Sequence, residues 1–238
     1  MATMNLSSLK ATTSVIATLG LVGCGLISTD ITRLTFDLPT ETYTFDTAQW
    51  NIPPVLQGAA FPSITCTTDN DCCTLGSLAG LDCTMPKLSC MSSSCAASLP
   101  ESQATPINLS TDVMPSLSSY TSLVSISISR ITYTVRSNTL NVDVPPLSIY
   151  LAPEGVTDPT DSRAQLFGTV PKPITAGTTP TGNVQLVSNA ASIFQTFTGM
   201  LSMPFEIITA ATVVIGAGTP VPTGAITIDV TGALSAQP

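Results

Sequence analysis

Hydrophobic residues along this chain fall mostly on alternate positions, the period of a half-buried strand. In residues 31–46, ITRLTFDLPTETYTFD, Leu34, Phe36 and Leu38 share one face, and after the break at Pro39 so do Tyr43 and Phe45, which predicts two short strands. The clearest pattern is SLVSISISRITYTVRSNTLNVDV. Val124, Ile126 and Ile128 lie on one face, and Ile131, Tyr133 and Val135 continue in the opposite phase. An extra residue absorbed near Ser129-Arg130 as a β-bulge accounts for the switch. Leu140, Val142 and Val144 predict a further strand. Pro145-Pro146 interrupt it, and Leu147, Ile149 and Leu151 resume out of phase, as in a strand that turns the corner of a sandwich. Near the end, Val213 and Ile215 precede GAGTPVPTG and Ile226, Ile228 and Val230 follow it, the pattern of a closing hairpin with a long loop. Strands are thus expected at 124–135, 140–151, 205–215 and 225–230.

One stretch has the helical period. After Ser188 as a possible N-cap, Ala190, Ile193, Phe194, Phe197 and Leu201 recur at helical spacing, and Gly199 with Pro204 provides the stop. Its apolar face carries no flanking lysines to favour a lipid surface, so it is read as packing over an open end of the sandwich. The prolines and glycine of NIPPVLQGAAFPSI, and the polar run from Pro100 to Pro115, read as linkers into and out of a cysteine-rich segment. Together these elements predict an all-β fold, an antiparallel β-sandwich of immunoglobulin-like architecture with one short helix and a disulfide-rich insertion. The expected organisation is a signal peptide at 1–23, N-terminal strands and linker at 24–65, the insertion at 66–95 and the main sandwich at 96–238.

The start of the chain breaks the alternation. Residues 9–29 read LKATTSVIATLGLVGCGLIST; Lys10 is the only charge before Asp30, and the apolar run from Ala11 to Gly23 ends at a lone cysteine. That run has the length of a secretory signal core and is too short for a membrane-spanning helix. Leu21-Val22-Gly23-Cys24 resembles the lipobox of bacterial lipoproteins at each of its four positions, a resemblance confined to the first 24 residues. It implies that the Cys24 thiol carries a diacylglyceryl group, that the chain is cut just before Cys24, and that the new amino terminus is acylated too. Two or three acyl chains make such an anchor effectively permanent. Gly25, where an aspartate commonly signals inner-membrane retention, leans toward the outer membrane. The remainder is similar in general look to sandwich domains of surface lipoproteins and of late-embryogenesis-abundant type proteins, a likeness that carries no residues over.

Composition narrows the chemistry. Charged residues are only 9% of the chain while 43% is hydrophobic, too apolar for disorder, and Ser and Thr take the outward strand positions that charges usually fill. The net charge is −8, and removal of a signal with one lysine and no acid makes it more negative. Nucleic acid is therefore not an expected partner, since phosphates call for clustered Lys and Arg. The absence of histidine excludes Ser-His and Cys-His nucleophile pairs, imidazole bases and His-containing metal sites.

With Cys24 assigned to lipid, six of the seven cysteines remain: Cys66, Cys72, Cys73, Cys83, Cys90 and Cys95. In an oxidising compartment they read as three bridges, with the adjacent Cys72 and Cys73 bonded to different partners. A thiolate zinc site is the alternative. The triplet Asp69-Asn70-Asp71 lacks the glycine and distal glutamate of a calcium loop and reads as turn-forming, as do Asp158 and Asp161. No metal or cofactor is implied. The expected function is a non-catalytic binding or structural lipoprotein of the bacterial outer membrane, held there by its lipid and contacting an envelope protein or glycan. The alternative is an exported hydrolase using paired carboxylates, for which Glu41, Asp46, Asp143, Glu154 and Glu206 are available without any recognisable spacing. A serine enzyme with a lysine base finds Ser-x-x-Lys only at Ser7 to Lys10, inside the signal.

Overall fold

A computed structural model describes residues 34–50, 52, 56, 59–78, 87–113, 125–199 and 203–237. Cys24, Cys83, Val124 and Leu201 lie outside the described residues. Two antiparallel sheets pack face to face, the β-sandwich that the alternation predicts. In the first, β1 (Leu34–Asp37) and β2 (Glu41–Asp46) both pair with one side of β11 (Ala225–Gln237), whose other side holds β5 (Ser125–Asn138) and then β8 (Thr181–Asn183). The second runs β3 (Lys87–Met91), β4 (Ser94–Ile107), β10 (Phe205–Ile215), β6 (Ser148–Pro153), β7 (Gln165–Thr169) and β9 (Gln185–Leu186).

The inward positions of the first sheet are those of the sequence pattern. Tyr43 and Phe45, then Ile126, Ile131, Tyr133 and Val135, then Ile226, Ile228 and Val230 are buried, and Leu234, beyond the expected end of the last strand, joins them. The phase switch in β5 has the expected cause. Ala233 faces Arg130 and Leu234 faces Ile128, so Ser129 is the extra residue, and its hydroxyl bonds the Ala233 carbonyl at 2.8 Å. A second bulge leaves Arg136 unmatched, where its guanidinium pairs with Asp229. The outward positions form a carpet of hydroxyls that bond one another across strands: Thr40 to Thr231 at 2.9 Å, Thr44 to Thr227 at 3.2 Å, Ser127 to Ser235 at 2.8 Å.

Three expectations need correction. Residues 140–147 form no continuous strand; Leu140, Val144 and Leu147 are buried, and the backbone bonds there are isolated ones, Val144 bridging Ile174 and the Leu147 carbonyl accepting from the Val170 amide. The segment alternates because it crosses the end of the sandwich, carrying the chain from the first sheet to the second. Second, β10 and β11 are not a hairpin. They lie in opposite sheets, and residues 216–224 pass between them. Third, the polar run after Pro100 is mostly strand. β3 covers β4 only as far as Ser98, so Pro100 and Pro106 sit where one side of β4 is open and a missing N–H leaves no ladder bond unmade.

The helix α2 (Ala190–Thr198) forms where expected, with Asn189 rather than Ser188 at the N-cap position. Ala190, Ile193 and Phe194 are buried against β5, β6 and β7, and the Phe194 ring meets Phe205 edge-on at 6.5 Å. That is the packing role read from its spacing. A second helix, α1 (Asp69–Leu78), stands where turns were expected. Asp71 accepts from the Thr67 and Thr68 amides at 2.8 and 2.9 Å and Thr68 reciprocates, so the acidic triplet is a capped helix start.

Candidate binding trough

The cysteine segment was the first candidate for special chemistry, and the structure gives it a packing role. Cys66 bonds to Cys90 and Cys72 to Cys95, with Cα separations of 5.8 and 5.4 Å. Cys90 and Cys95 face each other in the β3–β4 hairpin, whose turn places Ser92 and Ser93 at φ of 51° and 62°. Cys73, expected in a bridge, has a free thiol. The reason is helical: consecutive positions of α1 point about 100° apart, so Cys72 enters the core while Cys73 turns aside, partly exposed. The sulfurs of Cys66, Cys72 and Cys95 lie within 4.8 Å of one another, as a thiolate metal site requires. They are already spent in S–S bonds. Cys66, Cys72, Leu88 and Cys95 belong to the same core cluster as the sandwich, and β4 runs on through residue 95 into the second sheet.

The five carboxylates available to a hydrolase are dispersed. Asp46 caps the turn after β2 through the Ala48 amide at 2.9 Å, Asp143 accepts from the Ala176 amide at 2.8 Å, and Glu206 from the Gly155 amide at 3.2 Å. Glu154 is exposed, and Glu41 lies at the opposite end of β2 from Asp46, its carboxyl pushed up by burial and then by the charge of Asp112. No two of them line a common hollow.

What the strands do assemble is a trough on the outer face of the second sheet. In β10, odd positions such as Phe205 and Val213 enter the core, so even positions face outward. Ala210 stands in register with Ser102 of β4 on one side and Ser148 of β6 on the other. Three small side chains across three strands, a span of about 10 Å, leave a floor with nothing rising from it. In the next row, Ala104, Ile208 and Tyr150, the loop after β6 folds back and buries Val156 against Ile208 and Ala152, leaving Tyr150 half-buried at the side of the open floor. Asx turns hold that loop, Asp158 accepting from the Thr160 amide and hydroxyl at 2.8 and 2.7 Å. The result is a hollow of about 600 Å³ walled by Thr157 to Thr160, Pro146 and Pro100. At Thr212 it meets a second, more apolar hollow of about 520 Å³, which Val214, Pro145 and Pro220 line.

One carboxylate, Asp158, reaches the first hollow, and the bonds from Thr160 hold it below the ordinary carboxylate range. Glu101 stands in register with Ala211, which packs toward the core, so its side chain lies on the inner face of the sheet, where burial pushes it up to about 7. Neither hollow is lined by lysine or arginine among the described residues. Sequence reasoning missed this site because Ser102, Ser148 and Ala210 are unremarkable residues brought together only by strand order.

No family model matches the chain, and no curated protein does. Among solved structures, one described as giving the basis for promiscuous specificity in carbohydrate-binding modules of the β-sandwich superfamily aligns at 10% identity and a TM-score of 0.24, over 83% of this chain and 54% of that one. The chain thus spans about half the length of that structure. Another, of Desmodium yellow mottle tymovirus, aligns at 11% identity and a TM-score of 0.21, over 99% of this chain and 95% of that one. Likenesses at these scores carry no argument about ligand or assembly.

Proposed function

We propose that this chain is an exported, lipid-anchored protein of the bacterial cell envelope that works by binding, holding an envelope component in the trough on its second sheet. The observation that carries the binding role is the trough itself: a concave, solvent-open surface within the size range of ligand sites, built on rigid strands rather than on a loop. Export is supported by the Leu21-Val22-Gly23-Cys24 resemblance and by two disulfides, which persist in oxidising compartments. Cys24 is the lipid-bearing first residue of the mature protein in this reading, and the outer membrane its site.

One observation favours the hydrolase alternative. Glu101 has the raised acidity range of a general acid. Against it, Glu101 lies on the inner face of the second sheet, away from the trough and from Asp158, and the cause of its shift is burial alone, whereas a working pair of acids a few ångströms apart would sense each other's charge.

Intact-mass measurement of the protein extracted from native membranes tests the anchor. The expected species lacks residues 1–23 and carries added acyl mass; a full-length unmodified species overturns it. Crosslinking in intact cells tests the binding role, with Ala210→Trp as the control that fills the floor. A partner captured equally by wild type and Ala210→Trp would remove the trough from the account. Turnover of any captured glycan that Glu101→Gln abolishes would move the protein to the hydrolase reading.

A further inference from the structure

The binding reading leaves the ligand's chemistry open, and the trough constrains it. Its floor centres on β10, which is paired on both sides, with β4 and with β6, and the open edge of β4 beside it carries Pro100 and Pro106, which cannot donate. An extended peptide gains affinity by adding to an unpaired edge, so this surface offers it a poor ladder. What the trough offers instead are side-chain groups, the hydroxyls of Ser102, Ser148, Thr160 and Thr212. These match a ligand that is itself covered in hydroxyls. The absence of lysine and arginine from the lining, beside Asp158, disfavours phosphates, sulfates and uronic acids by charge. The continuation past Thr212 into the second hollow, where Asn141 and Asp143 supply further polar groups, suits a chain rather than a single ring.

We infer that the trough binds an extended, uncharged polysaccharide chain, laid across the strands over Ser102, Ala210 and Ser148, with Tyr150 as its aromatic wall and the Ser102 and Ser148 hydroxyls as its hydrogen-bonding groups. This inference rests on the binding reading above and names the class of ligand for the same surface. The hydroxyls replace the water that solvates each sugar ring, and the small floor lets the ring approach the sheet closely. Aromatic walls are useful here because the C–H face of a sugar ring is apolar and packs on a flat side chain.

The test is calorimetric titration of the detergent-extracted mature protein with three uncharged probes, hexasaccharides of glucose in α-1,4 and β-1,4 linkage and of mannose, and with an oligogalacturonate of equal length. At least one uncharged probe should bind, the oligogalacturonate at least tenfold more weakly. Ala210→Trp and Tyr150→Ala should each weaken binding about tenfold or more, equivalent to about 1.4 kcal/mol, with an unfolding midpoint near wild type confirming that the variant is folded. Glu101→Gln, on the opposite face of the sheet, should bind as wild type does. Equal or tighter binding of the oligogalacturonate, or undiminished binding by folded Ala210→Trp, overturns the inference. If no uncharged probe binds while the cellular crosslink is Ala210→Trp sensitive and captures a protein, the ligand class is wrong and the binding reading stands.

Discussion

Reducing the two disulfides should lower the stability of the whole sandwich in one transition. Cys72 and Cys95 are buried at 0% and 1% exposure, and their bridge closes a loop of 23 residues. The chain-entropy relation assigns such a loop about 3–4 kcal/mol. The Cys66 to Cys90 loop is similar in length, at 24 residues, and overlaps the first from 72 to 90. Removing both should therefore cost less than twice one alone, since the second closure restricts a chain already shortened. The loss is felt globally because β4, which carries Cys95, pairs with β10 from Ala97 to Ile107. The assay is thermal unfolding followed by fluorescence of Trp50, the single tryptophan, buried in the core well outside the bridged segment. For a domain of this size 3–4 kcal/mol corresponds to roughly 10 °C, so Cys72→Ala/Cys95→Ala should lower the Trp50 midpoint by that amount, and Cys73→Ser should leave it nearly unmoved. A Trp50 midpoint unchanged by loss of the bridge, with helix α1 melting first in a separate step, would refute the reasoning and restore the segment as an independent stapled unit.

Three further outcomes follow from particular contacts. Glu101 has a folded value of about 7, above its usual 4.5, so the folded state binds more protons than the unfolded one between these values; stability should fall as pH rises through that window, and Glu101→Gln should flatten the fall in a series of melting curves. Gly224 has φ +97° and a Cβ there would sit 2.2 Å from the Thr139 carbonyl oxygen, whereas Gly155 at φ +80° has open space; Gly155→Ala should cost about 1–2 kcal/mol and Gly224→Ala distinctly more in denaturant unfolding. Gln103, on the open side of β4, accepts from the Thr44 amide at 2.9 Å and donates to the Thr44 carbonyl; Gln103→Ala should cost about 1–3 kcal/mol and, by baring the edge of β2, raise light scattering at concentrations where wild type stays clear.

Alternation was a reliable guide to which side of a strand faces the core and a poor guide to its partner. Ile126 to Val135 revealed both the strand and its bulge, because a shift of phase is recorded locally. Val213 and Ile226 gave no sign that their strands belong to opposite sheets, since an inward residue of either sheet meets the same apolar interior. Leu140 to Val144 alternates like a strand while crossing an open end, for burial on one side is enough to impose the period. Pro100 and Pro106 hid β4: a proline argues against a strand only where a donor is needed, and sequence does not show which edges are open. Thr68 to Asp71 did carry a legible signal, a capping hydroxyl followed three residues later by an acid, obscured by the reading of those acids as turn formers. The trough had none, because its floor is defined by register among strands whose contributing residues are far apart in the chain.

Both β1 and β2 have β11 as their ladder partner, Leu34 opposite Ala236 and Tyr43 opposite Ile228. The first strands of the domain therefore cannot pair until its last residues are available. In vectorial terms, a chain emerging amino terminus first must wait for nearly its whole length before the first sheet can close, and such long-range pairing is the slow kind. Under the export proposed above that delay would be useful: a chain still inside the cell would have no finished sandwich to unfold, and closure would be deferred until its last strand had crossed.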